Sequence, residues 1–210
     1  MSSVAASPES GRLIDWGVAG RALAGADVSG DRHMVVPRPG GVLLGLADGL
    51  GHGPEAAVAA QAAAEVFARF DGQSVTEMMK MCDDALRPTR GAVLSMASIS
   101  AASGSVEWLG VGNVEGVLIH PKGARPRTRE FLLLRGGVVG YRMPRLRSAT
   151  LQIAAGDMLI FASDGIASDF ALMEPDDQSA QELADRILLR HGTGTDDALV
   201  LVVRYLGTAP

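Results

Sequence analysis

The chain has one cysteine, Cys82, among 210 residues, so no disulfide can form within it. That excludes the disulfide framework of small secreted domains and fits a reducing cytoplasm. Cys82 lies on the apolar side of a predicted helix, where a buried structural thiol is expected. The sequence also lacks any apolar run near the roughly 20 residues that a membrane-spanning helix needs. Met1 to Gly11 is rich in Ser and Ala and has no basic-then-apolar leader pattern, so it reads as a loose tail. There is no excess of positive charge either. The net charge is -5 and the pI near 5.3, the reverse of a nucleic-acid footprint. The local exception is a cluster of arginines: Arg125, Arg127, Arg129, Arg135, Arg142, Arg145 and Arg147. Two readings of it stand, a face for an acidic or phosphorylated partner or a solvated loop. No internal repeat or interdomain linker is visible. The length suits one domain, placed at 12–206 between tails at 1–11 and 207–210.

What the sequence does have is acid at the mouths of apolar strands. Asp48-Gly49 follows the run Val42 to Ala47, Asp164-Gly165 follows Met158 to Ser163, and Asp196-Asp197 precedes Ala198 to Val203. Runs this apolar pair inside a sheet that is covered on both faces. If the third strand is antiparallel to the other two, all of these acids fall at one end of the sheet. Carboxylates gathered that way repel one another unless a cation sits between them. Oxygen donors suit a hard divalent cation such as Mg2+ or Mn2+, and the number of acids suits two ions. Each acid alone has an ordinary explanation. Asp48 in Ala47-Asp48-Gly49-Leu50-Gly51-His52-Gly53 also fits a helix-capping acceptor, and Asp-Gly is a common turn pair. Asp27 and Asp31 bracket a Gly/Ser loop and are equally open; the case rests on the combination.

The remaining pattern gives the fold class. Strands are expected at Leu13 to Val18, at His33 to Val36 (ending at Pro37) and in the run to Asp48. A helix from Glu55 to Phe70 buries Val58, Ala59, Ala62, Ala63, Val66, Phe67 and Phe70. Ser74 and Glu77 form a capping box for a second helix with a buried stripe of Val75, Met78, Met79, Cys82 and Leu86. Strand-like runs follow at Ala92 to Ala101, Val106 to Val111, Gly116 to His120, Phe131 to Leu134 and Leu151 to Ile153. A second capping box, Ser179 and Glu182, opens a helix closed by Gly192, and the last strand runs to about Leu206. Helices set apart from runs of antiparallel strands mean α+β layering, here two stacked, mainly antiparallel sheets flanked by helices.

In this order and spacing, Asp48-Gly49-Leu50-Gly51-His52-Gly53, Ser163-Asp164-Gly165 and Thr195-Asp196-Asp197-Ala198 resemble the metal-dependent serine/threonine phosphatases of the PPM (type 2C) class, in their SpoIIE-like branch. Val28-Ser29-Gly30-Asp31 and Arg135-Gly136-Gly137-Val138-Val139-Gly140 resemble two further elements of that domain. Gly110-Val111-Gly112-Asn113 adds a resemblance to the RsbX family of stressosome feedback phosphatases. The resemblance spans residues 12–206 and implies two Mn2+ or Mg2+ ions; a cytoplasmic monomer is expected. The resemblance also implies hydrolysis of phosphoserine or phosphothreonine on STAS-domain stressosome proteins by a hydroxide held between the ions.

Carried over by position, the resemblance makes Asp48 the bridging ligand and Gly49 a backbone-carbonyl ligand. Asp164 and Asp196 complete the second ion, Asp197 supports Asp196, and Asp31 lies near the first ion. Leu50 stands where animal members carry a leaving-group His, and His52 comes two residues later. His52 then has two readings, proton donor or loop stabiliser. Arg32, nearby in sequence, is a candidate to take a phosphate. Two other functions stay open: a non-catalytic binding module whose acids cap turns, and a metal-dependent phosphoesterase acting on a small metabolite.

Overall fold

A computed structural model describes residues 13–121, 129–174 and 178–207. Arg125 and Arg127, the tail at 1–11 and nearly all of the tail at 207–210 lie outside the described residues. The chain forms β1 (Ile14–Arg21), β2 (Asp31–Arg38), β3 (Gly41–Gly49), α1 (Pro54–Phe67), α2 (Val75–Leu86), β4 (Ala92–Ser100), β5 (Ser105–Val111) and β6 (Glu115–Ile119). It continues with β7 (Arg129–Phe131), β8 (Leu134–Arg135), β9 (Ala149–Gln152), β10 (Met158–Ala162), a 3-10 turn (Ser168–Leu172), α3 (Ala180–His191) and β11 (Ala198–Tyr205).

Two sheets result, one ordered β1-β11-β10-β6-β7 and the other β2-β3-β4-β5-β8, with β9 pairing on β5. Every pairing is antiparallel except the short β5–β8 contact. The period of two along a strand builds three apolar layers. On β3, Leu43 and Ala47 face α1 and α2, while Val42, Leu44 and Leu46 face the other sheet. On β11, Leu199, Leu201 and Val203 face the inter-sheet layer, and Ala198, Val200 and Val202 face α3. The molecule is thus a helix–sheet–sheet–helix sandwich, as the pattern of elements implied.

Both capping boxes form, Ser74 with Glu77 and Ser179 with Glu182. The α2 stripe is buried as read from its spacing. Other local readings change. Pro37 does not end its strand: β2 runs on to Arg38, and Pro37 stands opposite Val42. β2 is an edge strand, where a residue without an N–H breaks no ladder. α1 stops at Phe67, and Val58 is exposed, because the helix buries its small residues Ala56, Ala59, Ala60 and Ala63 against the sheet instead. The single run at Phe131 to Leu134 is two strands in different sheets, with Leu132 buried between them.

Candidate active site

Antiparallel pairing decides where the acids meet. Ala162 at the end of β10 stands opposite Val200 near the start of β11, so Asp164 and Asp196-Asp197 emerge at the same end of that sheet. On the other sheet, Asp31 opens β2 directly opposite Asp48 near the end of β3. Directly opposed residues share a face, and two carboxylates so placed destabilise the pair.

Buried hydrogen bonds join the two groups across the sandwich. The Ser163 hydroxyl donates to Asp31 Oδ2 at 2.7 Å and accepts the Leu199 N–H at 2.9 Å. Asp197 is buried, and both of its oxygens are committed: Oδ1 accepts from the Leu23 N–H and Oδ2 from the Gly30 N–H, each at 2.7 Å. It therefore ties the β1–β2 loop down onto β11. Asp196, half-buried, accepts the Asp197 N–H at 2.8 Å through Oδ1. Asp164 is exposed and accepts from the Asn113 amide at 2.8 Å.

The glycine after each strand-end acid serves close approach. A Cβ on Gly165 would stand 2.0 Å from the Asp197 carbonyl oxygen, and one on Gly49 would stand 2.1 Å from that of Ala56 in α1. Gly165 thus lets the end of β10 lie against the start of β11, and Gly49 lets α1 seat beside Asp48. The Gly49 carbonyl faces Gly30, whose added Cβ would be 3.5 Å from it.

The electrostatics are those of an uncompensated acid cluster. Asp48 is pushed up to about 8 by burial first, then by Asp31, Asp164, Asp196 and Asp197. Asp31 is pushed up to about 7 by burial, with the Ser163 hydrogen bond working against the rise and Asp197, Asp164 and Asp196 adding to it. Asp31 Oδ1 is buried without a hydrogen-bond partner. No basic side chain lowers either group. An all-oxygen set with an orphaned buried acceptor and like charges on all sides fits hard divalent cations. Among the described residues, no three or more His, Cys, Asp or Glu side chains close into a ready cage. Mg2+ and Mn2+ tolerate this, since such ions keep waters and accept backbone carbonyls.

His52 is exposed in the loop between β3 and α1, and Arg32 is exposed at the outer edge strand. The structure ties neither side chain to the acid cluster. Arg90 was not singled out by sequence. It forms an ion pair with Glu55 at the first turn of α1, and its Nη1 lies 3.2 Å from where a Cβ on Gly51 would be. Asn113 and Ser163 were visible within motifs, but only the fold gives them partners. No helix among the described residues is long and apolar enough to cross a membrane.

An acid cluster at one end of such a sandwich defines a class of protein. The sequence profile of the Stage II sporulation protein E (SpoIIE) family matches residues 38–206, so the chain belongs to the SpoIIE family. Its fold is that of the PP2C phosphatase domain of SpoIIE from Bacillus subtilis, with a TM-score of 0.72 and 23% identity over 94% of this chain and 64% of that one. Phosphoserine phosphatase RsbX of Bacillus subtilis (strain 168) is 22% identical over 174 residues, 82% of this chain and 85% of the relative. The crystal structure of RsbX with magnesium aligns with a TM-score of 0.82 at 21% identity over 94% of this chain and 98% of that one. A chain solved in work on the bacterial stressosome, a modular system adapted to control secondary messenger signalling, aligns with a TM-score of 0.83. It is 31% identical, with 91% of this chain and 99% of that one covered.

Proposed function

We propose that this chain, a protein serine/threonine phosphatase of the type 2C class, dephosphorylates phosphoserine or phosphothreonine on STAS-domain proteins of a bacterial stressosome. In this reading residues 12–206 are one phosphatase domain, acting as a monomer in the cytoplasm, and the reaction resets a stress signal. The observation that carries the chemistry is the meeting of Asp31 and Asp48 from one sheet with Asp164, Asp196 and Asp197 from the other, at one end of the sandwich.

Asp48, the Gly49 carbonyl, Asp164 and Asp196 would hold two Mn2+ or Mg2+ ions, with Asp31 beside the first. Such ions supply neutralisation of the phosphoryl oxygens and a water acidic enough to react near neutral pH. The protein's part is placement. Strand ends fix Asp48 and Asp164 on a rigid frame, which limits the reorganisation needed when charge develops. Ser163 orients Asp31, Asn113 orients Asp164, and Asp197 holds the β1–β2 loop beside them. His52 lies exposed on the loop that follows Asp48, and in this reading it either protonates the leaving oxygen or steadies that loop. The only thiol, Cys82, is buried and pushed up to about 12 by burial, so it takes no part as a nucleophile.

The test is dephosphorylation of a panel of phosphoserine, phosphothreonine and phosphotyrosine proteins, with and without Mn2+, beside nucleotide and sugar-phosphate substrates. Asp48→Ala should lose on the order of a thousandfold or more in rate. Wild-type turnover by that variant at saturating Mn2+ refutes the proposal.

A further inference from the structure

From residue 131 to residue 156 the chain carries no Asp or Glu, although the molecule as a whole is at -5. The same stretch holds Arg135, Arg142, Arg145 and Arg147. It begins next to the acid cluster. Ala92 and Val139 exchange backbone hydrogen bonds at 3.0 and 2.9 Å, and Ala92 stands opposite Gly49 on its other side. One strand therefore separates this segment from Asp48-Gly49.

The segment then makes a pinned reversal. Val138 and Arg142 exchange backbone hydrogen bonds at 3.0 and 2.8 Å. Gly140, at φ 91, donates its N–H to Asp83 Oδ1 at 2.8 Å, and a Cβ there would strike the Leu86 backbone at 2.8 Å. Only glycine lets this turn sit down on α2. Beyond it the chain reaches β9, whose first residue, Ala149, stands opposite Trp108 of β5. Met143 and Leu146 pack inward against the α1/α2 core, while Arg142, Arg145 and Arg147 stay exposed. Tyr141, at the tip of the turn, is 84% exposed. None of the three arginines has an acidic partner among the described residues.

An ordered turn that begins one strand away from the acid cluster thus presents a bare aromatic ring and three cations with no acidic partner among the described residues. The ordering entropy is already spent before any partner arrives, which favours binding. We infer that the strip from Tyr141 to Arg147 docks an acidic segment flanking the phosphorylated residue of the protein substrate. This names the substrate class of the proposed phosphatase site and rests on that reading. Acidic flanks would be repelled elsewhere on a surface of net negative charge and attracted here, so the strip orients the substrate as well as holding it.

The experiment uses three fluorescent phosphoserine peptides, identical except for flanks of Glu, Ala or Lys, with p-nitrophenyl phosphate as a flank-free substrate. Wild type is compared with the triple variant Arg142→Glu, Arg145→Glu, Arg147→Glu and with Tyr141→Ala, all with Mn2+. Wild type should prefer the Glu-flanked over the Lys-flanked peptide in kcat/KM by about tenfold, the order expected of a few solvent-exposed ion pairs. Added salt should erode that preference. The triple variant should reverse it while leaving p-nitrophenyl phosphate turnover unchanged, and Tyr141→Ala should raise KM for every peptide only. A wild type indifferent to flanks, or a triple variant that alters all four substrates in parallel, overturns the inference. If the wild type turns over none of the substrates, the phosphatase reading is what fails. Peptide anisotropy then still judges the strip: Glu-over-Lys preference lost in the triple variant supports it, and equal binding overturns it.

Discussion

Asn113 donates its side-chain amide to Asp164 Oδ2 at 2.8 Å. Asn113 lies in the link between β5 and β6, where the chain passes from one sheet to the other, so it reaches Asp164 from outside that acid's own strand. Fixing one oxygen fixes the rotamer, and with it the direction of the other. In the proposed site, Asn113 is a positioning residue.

Asn113→Leu keeps the size of the side chain and removes the donor. Mn2+ affinity should fall about tenfold, the lower end of what loss of a ligand-orienting partner costs. Thermal stability should stay close to wild type, because both residues are exposed. Titration calorimetry with Mn2+ reads the first and a melting curve the second; unchanged affinity would remove Asn113 from the site.

The acids at 196 and 197 divide into different jobs. Asp197, with both oxygens bound to backbone donors and 3% exposure, is an anchor for the β1–β2 loop. Asp197→Ala leaves two N–H groups without their charged acceptor and should cost about 2–4 kcal/mol of stability. Asp196→Ala should leave urea unfolding nearly unchanged and abolish uptake of one Mn2+. The opposite assignment of these two phenotypes would exchange the proposed roles.

The strand-end acids and the helices were legible because local pattern determines them. An apolar run followed by Asp-Gly, or a Ser with Glu three residues on, keeps its meaning in any fold that buries the run. The loop anchor was not legible in this way, since Asp197 meets Gly30 and Leu23 across 167 and 174 residues. Leu132 and Leu134 show the same limit. A run of four apolar residues does not say that its two ends pair in different sheets, because strands of two or three residues are defined by their neighbours alone. Val58 misleads for a different reason. The buried face of α1 is set by Ala56, Ala59, Ala60, Ala63, Val66 and Phe67, and Val58 falls off that face, so it is left at the surface. His52, taken from sequence as a candidate acid, sits in solvent with its role still resting on the proposed chemistry.

The acid cluster should make the metal-free protein less stable as pH rises. Asp31 and Asp48 keep their protons up to about 7 and 8, whereas unfolded aspartates release theirs near 3.9. Between those values the native state binds more protons than the unfolded state, so the slope of unfolding free energy with pH is negative. Urea titrations in EDTA at pH 5, 6.5 and 8 should show falling midpoints. Asp48→Asn should flatten that trend, and saturating Mn2+ should remove it in wild type by binding the ionised carboxylates. A flat wild-type profile in EDTA would mean that the cluster is already compensated.

Gly165→Ala tests whether the meeting of β10 and β11 sets the site. The new methyl would stand 2.0 Å from the Asp197 carbonyl oxygen, which belongs to backbone and has no rotamer to give. Strand ends must part to admit it, at a cost of about 1–3 kcal/mol. Because Asp164 and Asp196 sit immediately beside that contact, parting them should also weaken Mn2+ binding. Gly136→Ala is the matched control, since an added Cβ there meets nothing within 4 Å. It should leave both melting temperature and Mn2+ affinity where they are. If Gly165→Ala lowers stability but binds Mn2+ as wild type does, the spacing of these two strand ends is not what positions the acids.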